Sequence, residues 1–211
     1  WKGHSLSTDS ASIYLEAGKD YRLKAEYYDN RDYAIAKLQW KVPQVGKATR
    51  LDLYGEAGKA VRECETVVAV MGINKSIERE GQDRNDIQLP ADQLEFLQEI
   101  YKVNPNIIVV LVAGSSLAIN WIDEHIPAIV NAWYPGEQGG TAVADVLFGN
   151  YNPAGRLPLT YYKSLNELPS FDDYDITKGR TYKYFNGDVL YPFGYGLSYS
   201  SFEYSDLMVK D

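Results

Sequence analysis

Three short runs free of charged residues recur along the chain: residues 66–72 (Thr-Val-Val-Ala-Val-Met-Gly), 107–112 (Ile-Ile-Val-Val-Leu-Val) and 128–132 (Ala-Ile-Val-Asn-Ala). An apolar run of this length marks a strand buried on both faces, and such strands are the signature of a parallel sheet. Between the first two, residues 90–103 predict a helix. Pro90 suits a first helical turn, and Leu94, Phe96, Leu97, Ile100 and Tyr101 recur at helical spacing. Residues 52–62 can form a helix before the first strand. Residues 139–147 predict another after the third, closed by Gly149. Strand–helix alternation of this kind predicts an α/β fold, a mostly parallel sheet sandwiched between helices. In such sheets ligands and chemistry collect at the carboxyl ends of the strands. The loops there are 72–89, 113–120 and 133–139, and the first is the longest and most charged.

The flanks read differently. Residues 1–43 predict a short all-β segment. Ser12-Ile13-Tyr14-Leu15 is followed by a turn at 16–20, and residues 21–28 then alternate Tyr21, Leu23, Ala25, Tyr27 with Arg22, Lys24, Glu26. A second turn at 29–32 leads to a third strand at 34–42, with Leu38 and Trp40. Three strands make a poor core alone, so this segment should complete a sheet whose other strands lie elsewhere. After residue 150 the periodicity fades into Tyr-, Gly- and Asp-rich sequence, expected to be ordered but irregular. Residues 201–209 alternate again, like the start of one more β domain. The chain opens on Trp1 without a signal-peptide pattern and reads as a piece of a longer protein.

Bulk properties narrow the function. The 211 residues suffice for one α/β domain of ordinary size plus a fragment. A net charge of −8 leaves no basic surplus to neutralise phosphates, which argues against a nucleic-acid partner. No apolar run of about 18 residues exists to cross a membrane. Cys64 is the single cysteine, so an internal disulfide is excluded and a small core residue is expected. The 18 tyrosines and 4 tryptophans, against 6 phenylalanines, offer apolar faces with polar tips that suit sugar rings. They suit an ordinary β-rich protein equally.

Most chemical motifs are excluded. Ala113-Gly114-Ser115-Ser116 lacks the lysine and glycine spacing of a phosphate-binding loop, and the second glycine of a serine-hydrolase elbow. Gly136-Glu137-Gln138-Gly139-Gly140 lacks the dinucleotide fingerprint, and its glycines fit a tight strand-to-helix turn. His4 and His125 have no metal-ligand spacing, and neither a metal nor a cofactor is expected. What remains is the long loop, Ile77-Glu78-Arg79-Glu80-Gly81-Gln82-Asp83-Arg84. A carboxyl group acts as a general acid near neutral pH when burial or a neighbouring negative charge favours its protonated form. A loop presenting Glu78, Glu80 and Asp83 together is one route to that. Arg84 offers a bidentate partner to lock Asp83 and hold the loop's shape. From the residues alone, a solvated charged loop explains the pattern as well.

The loop, with Asn85-Asp86-Ile87-Gln88-Leu89-Pro90 and Gln93-Leu94 after it, resembles the second domain of glycoside hydrolase family three. That family includes β-glucosidases, β-xylosidases and α-arabinofuranosidases. Trp133-Tyr134-Pro135-Gly136-Glu137-Gln138-Gly139-Gly140, Asp145-Val146-Leu147-Phe148-Gly149, Asn152-Pro153-Ala154-Gly155-Arg156-Leu157-Pro158 and the 191–199 stretch resemble it too, in family order. The Glu-x-Glu-Gly-x-Asp-Arg form looks closest to the β-xylosidase branch and to β-glucosidases with an inserted domain. Leu15 to Tyr21, Glu26-Tyr27-Tyr28 and Leu38-Gln39-Trp40 resemble the end of that insert, a protective-antigen-type β-sandwich. Phe202-Glu203-Tyr204 onward resembles the start of a fibronectin type III domain.

The resemblance implies three pieces: residues 1–43 from the insert, 44–200 as the α/β sandwich domain, and 201–211 opening the last domain. It implies a retaining exo-acting enzyme, a β-linked oligosaccharide substrate, and a secreted or periplasmic location. The general acid/base is a glutamate of this loop, a position that Glu78 and Glu80 both fit. Glu78 is favoured because it lies nearer the strand end. Asp83 and Arg84 are assigned to loop architecture. The nucleophile is an aspartate on an N-terminal barrel domain, a partner outside these residues, so the chain alone should be inactive. Glu78 and Asp83 do not make a pair by themselves, because one loop poorly holds two carboxyls across a bond at about 5–5.5 Å. Two other classes stay open: a non-catalytic carbohydrate-binding module, and a nucleotide-binding doubly wound domain.

Overall fold

The computed structural model describes residues 10–16, 18–24 and 54–209. The chain divides into two compact units, Trp1–Gly46 and Lys47–Asp211. In the second unit, α1 (Glu56–Glu63) precedes β1 (Val67–Gly72), α2 (Ala91–Tyr101), β2 (Ile107–Val112), α3 (Asn120–His125), β3 (Ala128–Asn131) and α4 (Gly139–Leu147). The three strands pair in parallel in the order β1-β2-β3, with Val67 opposite Ile107 and Val109 opposite Ile129. This is the α/β fold expected from the alternation, with element ends within a few residues of those read from the sequence. The irregular region adds β4 (Tyr161–Tyr162), a 3-10 turn (Ile176–Lys178), α5 (Thr181–Tyr184) and β5 (Val189–Tyr191), which pairs antiparallel with β4.

One face of the sheet makes the core. Ala69, Met71, Ile107, Val109 and Leu111 pack with Val61 of α1, Leu97 and Ile100 of α2, and Ile122 of α3. Truncating a fully buried residue such as Leu97 or Ile122 to alanine would cost about 2–5 kcal/mol, since neighbours fill such a gap only partly. The other face differs along its width. Val110 of the central strand is buried, whereas Val68 and Val70 of β1 are 48% and 64% exposed. Burial of β1 on both faces was the expectation. Among the described residues nothing covers that second face of β1, the end strand of their sheet, so the expectation is not met there.

Three other expectations change. Cys64 is exposed, not buried: it caps α1 in an extended conformation, and its carbonyl accepts from Asn104 Nδ2 at 2.8 Å. Residues 10–16 and 18–24 hold no strand, although the turn is present, with Gly18 at φ 78° and Lys19 paired to Glu16. A strand needs a pairing partner, and the residues from 25 to 43 that would supply it lie outside the described ones. Residues 201–209 are likewise exposed and without a strand. His4 lies outside the described residues. His125 stacks on Trp121 at 4.5 Å, and its Nδ1 lies 2.9 Å from the Trp121 carbonyl, a packing role.

The aromatic tail is tied to the sheet by phenols. Asn131 Nδ2 donates to the Tyr161 hydroxyl at 2.9 Å, and the Tyr191 hydroxyl donates to Asp123. Burial raises both phenol pKa values above the ordinary 10.0, and the Asp123 carboxylate raises that of Tyr191 further. The unfolded chain therefore ionises these phenols first. Their stabilisation is complete below about pH 10 and is lost as the pH rises beyond it. The domain's thermal midpoint is expected to fall steeply above that pH, and less steeply in the Tyr161→Phe/Tyr191→Phe variant. Parallel slopes would refute the assignment.

Candidate active site

The three strand-end loops converge on one carboxylate. After β1 the chain makes a tight turn led by Asn74, whose carbonyl accepts from Ile77 N and Glu78 N at 2.8 and 3.1 Å. The Asn74 side chain accepts from Ser76 N and Oγ, which fixes the turn locally. Gly72 makes this exit possible: a Cβ there would lie 1.9 Å from the Val112 carbonyl oxygen. Gln93 of α2 holds the same glycine by a reciprocal pair of 2.8 Å bonds.

Glu78 is thereby turned inward, with 18% of its side chain exposed. Its Oε2 accepts from Ser115 Oγ at 2.5 Å and pairs with Arg84 Nε at 3.1 Å. Arg84, 11% exposed, also donates through Nη2 to Ser115 Oγ at 2.7 Å and to the Ser116 carbonyl at 3.0 Å. Among the described residues Glu78 Oε1 has only the Tyr134 hydroxyl as a hydrogen-bond partner, at 3.3 Å, and that hydroxyl lies equally far from the Ile73 carbonyl. One proton shared between two distant acceptors binds weakly. Oε2 is thus clamped and Oε1 is the oxygen available to exchange a proton with a guest. Desolvation and the Glu78 charge raise the Tyr134 pKa, so the phenol remains a donor.

The β3 end delivers Tyr134 through a strained step. Trp133 has φ 55°, a left-handed conformation that costs a non-glycine residue about 1–3 kcal/mol. The Tyr134 ring then lies over Gly114, where a Cβ would come within 2.5 Å of it and within 3.1 Å of Glu78 Oε1. Beside this group lies a cleft of about 610 Å³, lined by Glu78, Arg79, Asp83, Arg84 and Tyr134 and, from the opposite side of the sequence, by Leu165 and Phe171.

Glu80 goes elsewhere. It sits with Gly81, at φ 73°, on the tip of a two-residue turn closed by Arg79 N to Gln82 O and Gln82 N to Arg79 O, at 3.3 and 3.0 Å. It is exposed and does not line the cleft. Asp83 lines the cleft and is exposed, but Arg84 pairs with Glu78 rather than with it. The guanidinium reaches Ser115 and Ser116 from that position, which Asp83 could not offer. Sequence reading missed Ser115 and Tyr134 as partners of Glu78, and missed Leu165 and Phe171 altogether. The signal for the first two was their position at strand ends. Among the described residues no His, Cys, Asp and Glu cluster could hold a metal ion.

Comparison with known proteins supplies the family. The model of the glycosyl hydrolase family 3 C-terminal domain matches residues 11–199. The chain belongs to glycosyl hydrolase family 3. It is 46% identical over 165 residues to a xylan 1,4-β-xylosidase of Xylanibacter ruminicola, covering 69% of this chain and 19% of that protein. It is 36% identical over 170 residues to a periplasmic β-glucosidase of Salmonella typhimurium, covering 75% and 22%. Among solved structures it resembles a β-glucosidase from Kluyveromyces marxianus in complex with glucose, with a TM-score of 0.66 and 31% identity over 74% of this chain and 20% of that one. The chain thus spans about a fifth of the length of these family 3 relatives.

Proposed function

We propose that these residues form the acid/base half of a retaining, exo-acting β-glycosidase, a β-glucosidase or β-xylosidase that removes sugars from non-reducing ends. The supporting observation is the selective treatment of Glu78. Of the acids in the loop, it alone is drawn inward, clamped through Oε2, and left with Oε1 open toward a cleft. In a retaining reaction a separate carboxylate attacks the anomeric carbon while Glu78 gives its proton to the leaving oxygen. Glu78 then takes a proton from the water that releases the sugar. Arg84 and Ser115 hold its orientation through both steps, and Asp83 shapes the loop.

The attacking aspartate belongs to a barrel domain beyond these residues. Residues 1–43 are the end of a β-sandwich insert, 44–200 the α/β sandwich domain, and 201–211 the start of a fibronectin type III-like domain. The enzyme is secreted or periplasmic, in keeping with the Salmonella relative's name.

The test is to assay the 211-residue chain and the full-length protein on aryl β-glucosides and aryl β-xylosides. Turnover is expected from the full-length protein only. Turnover by the chain alone would show that the nucleophile lies within these residues, and would end the split-site reading.

A further inference from the structure

Asn186 and Gly187 are the one Asn-Gly pair in the chain. They sit in the turn between α5 and β5, exposed and outside any helix or strand. Asn-Gly favours a tight hairpin turn in which both residues take a positive φ. Neither residue does so here, so that locked form is not adopted. Among the described residues no hydrogen bond reaches the Asn186 side chain or the Gly187 N–H.

The fold demands a glycine at 187, because the chain passes there between two side chains. A Cβ would lie 2.7 Å from Phe185 Cζ and 3.0 Å from Glu167 Oε1. Phe185 is itself held, with its ring edge-on to Tyr162 at 5.0 Å, and the Tyr162 hydroxyl accepts from Thr181 N at 2.9 Å. The same glycine leaves its own nitrogen without a side chain to shield it.

An unshielded backbone nitrogen can attack the side-chain carbonyl carbon of the asparagine before it. Here the nucleophile is the Gly187 nitrogen and the target is Asn186 Cγ. The N–Cγ bond forms, the Cγ–Nδ2 bond breaks, and the Gly187 proton passes through water to the departing amide, releasing ammonia. Water then opens the cyclic imide. Cleavage of the new N–Cγ bond gives aspartate at 186. Cleavage of the old bond, between the Gly187 nitrogen and the Asn186 carbonyl carbon, gives isoaspartate. Water is the only co-reactant, and the Glu78 site takes no part.

We propose that Asn186 is a spontaneous deamidation site of the native fold, with isoaspartate as its destabilising product. Isoaspartate routes the backbone through the former side chain and adds a carbon where Gly187 is already wedged. The turn feeds directly into β5, whose Val189 and Tyr191 pair with Tyr162 and Tyr161. Asp188 beside it pairs with Lys163 at 3.7 Å. The extra backbone atom displaces the start of that pairing, whereas aspartate changes only an exposed side chain.

The test incubates the full-length protein and a synthetic peptide of residues 182–190 side by side at neutral pH. Peptide mapping by mass spectrometry follows the gain of a hydroxyl for an amino group, and an isoaspartyl methyltransferase counts isoaspartate. The folded protein is expected to react at Asn186 within about threefold of the peptide's rate, because its reacting groups are as free as in a peptide. Asn131 and Asn152, whose side chains are hydrogen-bonded, should stay intact over the same period. Asn186→Gln, which must close a larger ring, should stay intact as well. The isoaspartyl fraction of aged wild type is expected to melt below fresh protein, and Asn186→Asp to melt with it. Protein that stays intact at 186 while the peptide reacts, or deamidation spread evenly over the asparagines, would overturn the site. An isoaspartyl fraction that melts like fresh protein, or an Asn186→Asp midpoint lowered as far, would overturn isoaspartate as the destabilising product.

Discussion

Glu78→Gln in the full-length protein is expected to lower kcat/KM about 10²- to 10⁴-fold on glycosides with poor leaving groups. An activated aryl glycoside should lose far less, since its phenolate departs without a proton. The glycosyl-enzyme then accumulates, because the second step still needs a base, and a burst of phenolate should precede a slow steady state. Glutamine is nearly isosteric, so its carbonyl oxygen can keep the bonds from Ser115 and Arg84 while the amide nitrogen takes the place of Oε1. The loss is then chemical rather than structural. Glu80→Gln lies on an exposed turn tip outside the cleft, and its rates should stay within about twofold of wild type. Equal losses on both leaving-group types in Glu78→Gln would remove the acid from the scheme.

Arg84→Met should produce the second large effect, on stability and activity together. It deletes the 3.1 Å ion pair with Glu78 and the hydrogen bonds to Ser115 and the Ser116 carbonyl. Removing one partner of a buried pair costs about 3–5 kcal/mol. Glu78 keeps 18% exposure, so a value near or below the lower end, about 2–3 kcal/mol, is expected here. For a domain of this size that lowers the thermal midpoint by about 5–10 °C. The carboxyl group also loses an anchor, and misplacing a reacting group by about 1 Å can cost 100-fold, so kcat should fall about 10- to 100-fold. Arg84→Lys keeps the charge but cannot serve Glu78, Ser115 and Ser116 from one planar fork, and should recover only part of both losses. Asp83→Asn, which removes no ion pair among the described residues, should change the midpoint little. An unchanged midpoint and unchanged kcat in Arg84→Met would mean the clamp does nothing.

The fold was legible where a residue's environment follows from its neighbours in sequence. The runs at 66–72 and 107–112, and the spacing of Leu94, Leu97 and Ile100, specify strand and helix because burial imposes a period. They located β1, β2 and α2 to within a few residues. Burial that depends on position in the sheet was not legible. Val68 and Val70 look like core residues, but none of the described residues covers their face of β1, and Cys64 looks like a core residue but lies at a helix end. The site shows the same division. Glu78 and Glu80 are chemically equivalent in sequence, and only the turn at Glu80 and Gly81 sends one outward and leaves the other facing Ser115. Arg84 was recognisable as a loop anchor but its partners were not: the ion pair goes to Glu78 rather than to the adjacent Asp83, and the hydrogen bond goes to Ser115, 31 residues away. Phe171 reaches the cleft through an irregular segment whose Pro169, Ser170 and Asp173 carbonyls accept from Arg180, and no periodic pattern encodes that.

The assignment of Glu78 as the acid/base can be tested most directly by chemical rescue. Full-length Glu78→Ala and Glu80→Ala are each incubated with an activated aryl β-glycoside and sodium azide. An acid/base variant of a retaining enzyme still forms the glycosyl-enzyme, and a small anion can enter the space left by the missing carboxylate without needing a base. The expected result is a slow Glu78→Ala enzyme whose rate recovers with azide and whose product is the β-glycosyl azide, beside a Glu80→Ala enzyme that is nearly wild type and indifferent to azide. Rescue of Glu80→Ala with none for Glu78→Ala would contradict the assignment.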